Sequence, residues 1–346
     1  MTSAPLPDAG SNWVDRHAPE GLKPWLKLGR FDRPIGIWLL LIPGWQGIAL
    51  ALAQNRKTPD LYDAWLFAAF AVGAGLMRAA GCAFNDIVDR DIDAKVARTA
   101  LRPIPSGRIS VRQAWAFVIG CSLTGLLILL TLNLTAVLLG VASLALVAAY
   151  PFMKRITWWP QAWLGLTFNW GALMGYAAAL SGSWLLALLH DASTLELCAR
   201  LGEPIQPCQL QVGTAFSGLW PAAILLYLGG VFWTLGYDTV YALQDIEDDA
   251  MVGVKSSARR LGSHVRRGVG VFYAVAVLAA ALAGAFAGLG PLFWPGLAAF
   301  AAHLGWQTLR LKSDNPALAL RLFQSNREAG LILLSAIILG AVSWPL

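Results

Sequence analysis

The run YDAWLFAAFAVGAGLMRAAGCAF, residues 62–84, passes without a break into NDIVDRDID, residues 85–93. The first part is close to the roughly 20 mostly apolar residues that a helix needs to cross a bilayer. The second part is dense in acids. If the helix continues into it, Asn85, Asp89 and Asp93 are four residues apart and share one face, each about 6 Å further along the axis. One helix therefore spans a membrane and ends in a stripe of oxygen ligands.

The rest of the chain fits that solvent. Of its 346 residues 57% are hydrophobic and only 13% charged, about half the charge of an ordinary soluble domain, and the mean hydropathy is +0.57. Eight further stretches approach or reach spanning length, at about 35–53, 112–132, 135–152, 162–184, 219–240, 269–289, 292–309 and 328–345. Lys and Arg gather in the loops on one side: before span 1, and after spans 2, 4, 6 and 8. Only Arg56, Lys57 and Arg200 fall in the opposite loops, and Arg78 lies inside span 2. Positive charge marks the cytoplasmic side, so the expectation is nine spans with a cytoplasmic N-terminus. The same asymmetry explains the net charge of +6 without nucleic acid.

Residues 1–30 have no apolar h-region, and Asp8, Asp15 and Glu20 do not suit a transit peptide. They read as a cytoplasmic lead-in to a transmembrane domain over 31–346, with the inner membrane of a bacterium as the expected location. An external insert is expected at 185–217. Its Cys198 and Cys208 are able to form a disulfide in an oxidising compartment or to remain free thiols. Cys82 and Cys121 fall within spans as packing residues, and the four histidines are too scattered for a zinc site.

A second acidic run, QDIEDD at 244–249, ends span 6. Asp245 and Asp249 repeat the four-residue spacing, with Tyr241 one turn earlier. Like charges at that spacing repel and call for arginine partners or a divalent cation. Mg²⁺ favours one or two carboxylates together with substrate phosphates. Cations stand close by in sequence: Arg98 and Arg102 after the first run, Lys154 and Arg155 (with Tyr150 a turn earlier) at the end of span 4, and Lys255 after the second run. Guanidinium and ammonium groups hold phosphate oxygens. Arg78 and Asp238 each lie seven residues before an acidic motif, on nearly the same face and about 10 Å deeper. Arg78 is placed either to bind an acceptor's carboxylate or to pair with Asp238.

These strings resemble the UbiA-type membrane prenyltransferases, and within them the 4-hydroxybenzoate polyprenyltransferases of ubiquinone synthesis. The resemblance rests on DRPIGIWLLLIPGWQG (32–47), MRAAGCAFNDIVDRDIDAKVARTALRPIPSG (77–107), YPFMKRITWWPQAWLG (150–165), FNWGALMG (168–175) and YDTVYALQDIEDDAMVGVKSSA (237–258), with SNREAGLILL (325–334) as a weaker match. It implies an all-α bundle of nine transmembrane helices around a central cavity open to lipid, with both motifs at the cytoplasmic mouth. Asn85, Asp89, Asp93, Asp245 and Asp249 would ligate Mg²⁺, the four aspartates being catalytic. Arg98, Arg102, Tyr150, Lys154 and Lys255 would hold the diphosphate, and Arg78 and Asn169 would face the acceptor. The implied partners are a polyprenyl diphosphate, 4-hydroxybenzoate and membrane lipid. Two other readings compete: a prenyltransferase of the same family with another aromatic acceptor, and a cation-coupled transporter. The carboxylates disfavour the transporter, because they sit at the mouth and not at the midplane.

Overall fold

The computed structural model describes residues 12–94, 99–181, 220–244, 246, 253 and 255–342. Among them the secondary structure is helical throughout, without a strand. Two short helices, α1 (Trp13–His17) and α2 (Lys23–Leu28), precede α3 (Ile35–Gln54), α4 (Leu61–Asp93), α5 (Val111–Leu129), α6 (Leu134–Ile156) and α7 (Pro160–Leu180). Then come α8 (Pro221–Tyr241), α9 (Ser257–Leu261), α10 (Val265–Phe286), α11 (Phe293–Arg310), α12 (Pro316–Gln324) and α13 (Asn326–Gly340). Each expected span overlaps a helix. The expected insert at 185–217, with Cys198 and Cys208, lies outside the described residues.

Among the described residues, seven helical stretches are long and apolar enough to cross a membrane: Ile35–Gln54, Leu61–Asp91, Val111–Leu129, Leu134–Ile156, Pro221–Gln244, Ser257–Phe286 and Pro316–Gly340. Helices α7 and α11 fall outside this set, and their buried polar side chains show why. On α7, Gln161 Oε1 accepts from the Ser257 backbone N–H, and Asn169 donates to Thr234. On α11, Gln307 joins a buried network in which Tyr273 OH donates to its Oε1 at 2.7 Å and Asn326 Nδ2 donates at 3.2 Å. Trp233 Nε1 completes the network by donating to Asn326 Oδ1. Apart from Asn169 Oδ1, which is buried without a hydrogen-bond partner among the described residues, these polar groups are satisfied by neighbouring helices rather than exposed to lipid.

Close backbone approach sets the centre of the bundle. Gly171 and Gly175 form a GxxxG stripe on α7 against Gly44 and Gly47 of α3. A Cβ on Gly175 would lie 2.2 Å from the Gly44 carbonyl oxygen, and one on Gly47 would lie 2.1 Å from that of Ala172. Small residues allow helices to associate in lipid, where the hydrophobic effect gives them no drive. Asn133 fastens the edge of the bundle. Its Oδ1 caps α6 at the Ala136 N–H, and its Nδ2 donates to the carbonyls of Ala177, Ala178 and Ser181 at the end of α7.

By contrast, α5 buries only Ala114. Leu123 and Leu126 on α5, and Val141 and Leu144 on α6, are exposed and also line a cavity of about 1270 Å³. The cavity wall is therefore open between these helices. A smaller apolar cluster (Leu28, Ala83, Ile87, Ile104, Ile109 and Ala114, with Trp25 against it) fastens α2 and the 99–110 segment to the end of α4.

Candidate active site

The acidic end of α4 carries its side chains as the spacing predicts. Asn85 Nδ2 donates to Asp89 Oδ2 at 3.1 Å, as expected for side chains one turn apart on one face. Asp89 is 1% exposed and takes two cations from α6: Lys154 Nζ pairs with Oδ2, and Arg155 Nη2 reaches Oδ1 at 3.3 Å. Asp93 Oδ2 accepts from Arg102 Nη1 at 2.6 Å. The first acidic motif is thus interleaved with Lys154 and Arg102, two of the cations assigned to a diphosphate.

Asp86 adds a connection that the spacing did not reveal. It lies off the stripe formed by Asn85, Asp89 and Asp93, and it is 1% exposed. Arg30 Nη2 donates to both of its oxygens, at 2.8 and 2.9 Å, and Arg102 Nη1 reaches Oδ1 at 3.2 Å. Arg30 itself has φ +58°, a left-handed conformation that costs a non-glycine residue energy and needs support from its surroundings. The ion pairs run Arg30–Asp86–Arg102–Asp93 and link the N-terminal segment to the motif. The sequence signal was limited to an arginine before span 1 and an extra acid inside the motif. Nothing in their spacing joins residues 56 apart.

Deeper in the cavity, Tyr150, Arg78, Tyr237 and Asp238 line the wall, and Asn85, Asp86 and Arg102 line it nearer the mouth. The Arg78 guanidinium lies over the Phe168 ring, 5.5 Å from its centroid. Its Nε is buried without a hydrogen-bond partner among the described residues.

Two expected residues are turned elsewhere. Asn169 is buried between helices, where its Nδ2 donates to Gly165 O and Thr234 Oγ1. Its Oδ1 fills the space left by Gly230, whose Cβ would lie 2.1 Å away. It clamps α7 to α8, and its neighbours Phe168 and Trp170 line the cavity. Lys255 Nζ donates to the Ile156 carbonyl at 3.1 Å, and its backbone N–H donates to the Lys154 carbonyl. That is the usual place for a cation at a helix C-terminus. Arg98, Asp245 and Asp249 lie outside the described residues. Among the described residues no three His, Cys, Asp or Glu side chains converge on a point that would hold a metal. A hard cation would take its remaining ligands from substrate phosphates.

The model of the UbiA prenyltransferase family matches residues 40–334. The chain belongs to the UbiA prenyltransferase family. It is 41% identical over 331 residues to a protein of Arabidopsis thaliana named 4-hydroxybenzoate polyprenyltransferase, mitochondrial, covering 95% of this chain and 72% of that one. A Homo sapiens protein of the same name is 41% identical over 323 residues, covering 93% and 76%. Among solved structures, the apo UbiA homolog from Aeropyrum pernix K1 superposes with a TM-score of 0.66 at 25% identity, over 87% of this chain and 96% of that one. The Archaeoglobus fulgidus UbiA homolog bound to GPP and Mg²⁺ has a TM-score of 0.57 at 18% identity, over 91% and 99%. The protein is therefore a multi-pass membrane prenyltransferase with the UbiA fold.

Proposed function

We propose that this UbiA-family enzyme moves a polyprenyl chain from its diphosphate to the ring carbon ortho to the hydroxyl of 4-hydroxybenzoate, giving 3-polyprenyl-4-hydroxybenzoate for ubiquinone synthesis. The observation that carries the reading is the carboxylate–cation cluster at the end of α4, where Asp89 and Asp93 are paired with Lys154 and Arg102. Relatives of the same name at 41% identity support this choice of acceptor.

The donor set fits a divalent cation. Asn85, Asp89 and Asp93 present hard oxygens on one face, with Asp245 and Asp249 supplying the second motif. Mg²⁺ held there would supply positive charge where the diphosphate develops negative charge as it departs. The resting salt bridges offset the carboxylates' charge before substrate arrives. Asp89 and Asp93 would hold the metal, while Lys154 and Arg102, with Arg98, would hold the phosphate oxygens. Tyr150 stands one turn before Lys154 on the cavity wall and donates to the same group. The charge that arises on the allylic carbon needs a dry site. The bilayer-embedded cavity supplies one, and its opening between α5 and α6 lets the prenyl tail remain in lipid. Arg78 takes the acceptor's carboxylate, its guanidinium already oriented by Phe168.

This reading includes nine spans with a cytoplasmic N-terminus, residues 1–30 as a cytoplasmic segment, and 185–217 as an external insert. It places α7 and α11 in the membrane, α7 shielded by the other helices and α11 with its Gln307 turned inward. The relatives' names place them in mitochondria; a bacterial inner membrane is the location proposed for this chain. The test gives membranes carrying the protein Mg²⁺, geranyl through decaprenyl diphosphates and a panel of labelled aromatic acids. Lipid-soluble label from 4-hydroxybenzoate is expected; label from a different acceptor alone would overturn the assignment.

A further inference from the structure

The last turn of α6 brings Lys154 and Arg155 to Asp89, yet α6 is poorly equipped to hold that turn by itself. Pro151 lies inside the helix. It has no N–H to give the Val147 carbonyl, so the ladder is interrupted one turn before Arg155. The final four carbonyls of any α-helix also lack an intrahelical partner. On α6 they belong to Met153, Lys154, Arg155 and Ile156. The Thr157 N–H takes the first. Lys255 takes two more: its backbone N–H donates to the Lys154 carbonyl at 3.0 Å, and its Nζ donates to the Ile156 carbonyl at 3.1 Å. The residue clasped by its backbone is thus the one whose ammonium pairs with Asp89.

Lys255 is itself fixed from behind. Ser256 caps α9 at the Arg259 N–H. The Ser257 N–H donates at 3.0 Å to Gln161 Oε1, in the first turn of α7. Ser257 Oγ lies 2.6 Å from Thr239 Oγ1, near the end of α8. Ser256, Ser257 and Thr239 are all buried, where hydrogen bonds are stronger than in water and their loss is costly. On the outer side, the Arg259 guanidinium lies over the Trp158 ring, 5.6 Å from its centroid. Elements α7, α8 and α9 together hold one lysine, and that lysine holds the end of α6.

We propose that Lys255 is a positioning residue for the diphosphate, acting through Lys154 by fixing the last turn of α6 and not by gripping phosphate oxygens itself. This rests on the diphosphate-donor part of the proposed function and holds whichever aromatic acid is the acceptor. Lysine is a point charge on a flexible four-carbon stem, so the aim of Lys154 depends on where its backbone is held. A misplacement of about 1 Å is enough to cost a positioned group up to roughly a hundredfold. The charge of Lys255 is matched by the C-terminal carbonyls of α6. Removing Lys255 frees the turn that follows Pro151, and Lys154 moves with it.

The test is a double-mutant cycle on the full chain, purified in detergent with Mg²⁺, in which calorimetry reads the binding of inorganic pyrophosphate. Lys255→Ala is expected to weaken pyrophosphate about tenfold, within the range that misplacement produces. It should raise the polyprenyl diphosphate KM by a similar factor in membranes and leave the 4-hydroxybenzoate KM unmoved. In a Lys154→Ala background the same substitution should change pyrophosphate binding by less than about twofold, because the two residues act as a unit. Lys255→Arg keeps a charged donor for the α6 carbonyl and should restore binding to within about threefold. If Lys255→Ala does not accumulate as folded protein, Lys255→Met, which keeps the stem and the backbone N–H, takes its place in the cycle. A tenfold effect that persists without Lys154 would mean that Lys255 touches the phosphates, and it overturns the inference. Wild-type pyrophosphate affinity in Lys255→Ala, or equal rises in the two KM values, overturns it too. Absence of Mg²⁺-dependent pyrophosphate binding to wild type removes the diphosphate reading as well.

Discussion

Asp86 and Asp89 stand three residues apart on α4, equally buried, yet they face different partners. Asp89 looks to α6 and its cations, and Asp86 looks to Arg30 and Arg102. Removing one member of a buried pair leaves the other charge uncompensated. Asp86→Ala is therefore expected to destabilise the protein by roughly 3 kcal/mol or more, seen as a lower Tm in detergent, and to reduce transfer by loosening Arg102. Unchanged thermal stability would show that Arg30 finds another partner. Arg78→Lys keeps the charge but loses the fork that grips a carboxylate. It should raise the acceptor KM about tenfold with the diphosphate KM unmoved; loss of the protein from the membrane would instead mark Arg78 as structural. The stripe Asn85, Asp89 and Asp93 was legible because helical spacing alone sets it. Asp86 and the contact of Lys255 with the end of α6 were not, since each depends on which distant segment lies opposite.

Helices were the most legible level, because a membrane span needs an uninterrupted apolar run and this chain has several. Apolarity alone understates α7 and α11, whose Gln161, Asn169, His303 and Gln307 bond to other parts of the protein. The GxxxG of α7 lies within FNWGALMG (168–175), but nothing in that string names its partner stripe on α3. A Cβ on Gly175 would meet the carbonyl oxygen of Gly44, which cannot swing away as a side chain can. Gly175→Ala is expected to cost about 1–3 kcal/mol through a forced helix shift, with less monodisperse protein on size-exclusion chromatography. Gly73→Ala, with open space around its Cβ position, should behave like wild type. Equal behaviour of the two variants would refute the tight α3–α7 seam.

At the scale of the molecule, the carboxylates and cations gather at one end of the bundle, and the opposite end carries the Lys57–Asp63 corner between α3 and α4. Orientation therefore decides which compartment supplies the diphosphate. With the N-terminus cytoplasmic, an introduced Ser106→Cys should react with an impermeant maleimide only from the cytoplasmic side, and Asn55→Cys only from outside; the reverse pattern would invert the topology. The lateral opening between α5 and α6 suits a substrate whose tail stays in lipid, and the charged mouth suits its head group.

The most direct measurement uses membranes carrying equal amounts of wild type or Asp89→Ala, given Mg²⁺, a polyprenyl diphosphate and radiolabelled 4-hydroxybenzoate, followed by counting of lipid-extracted label. Mg²⁺-dependent product from wild type and about a hundredfold less, or lower still, from Asp89→Ala is the expected result, the usual scale for losing a group that stabilises charge in the transition state. Equal product from the two would contradict the claim that the acidic end of α4 carries the chemistry.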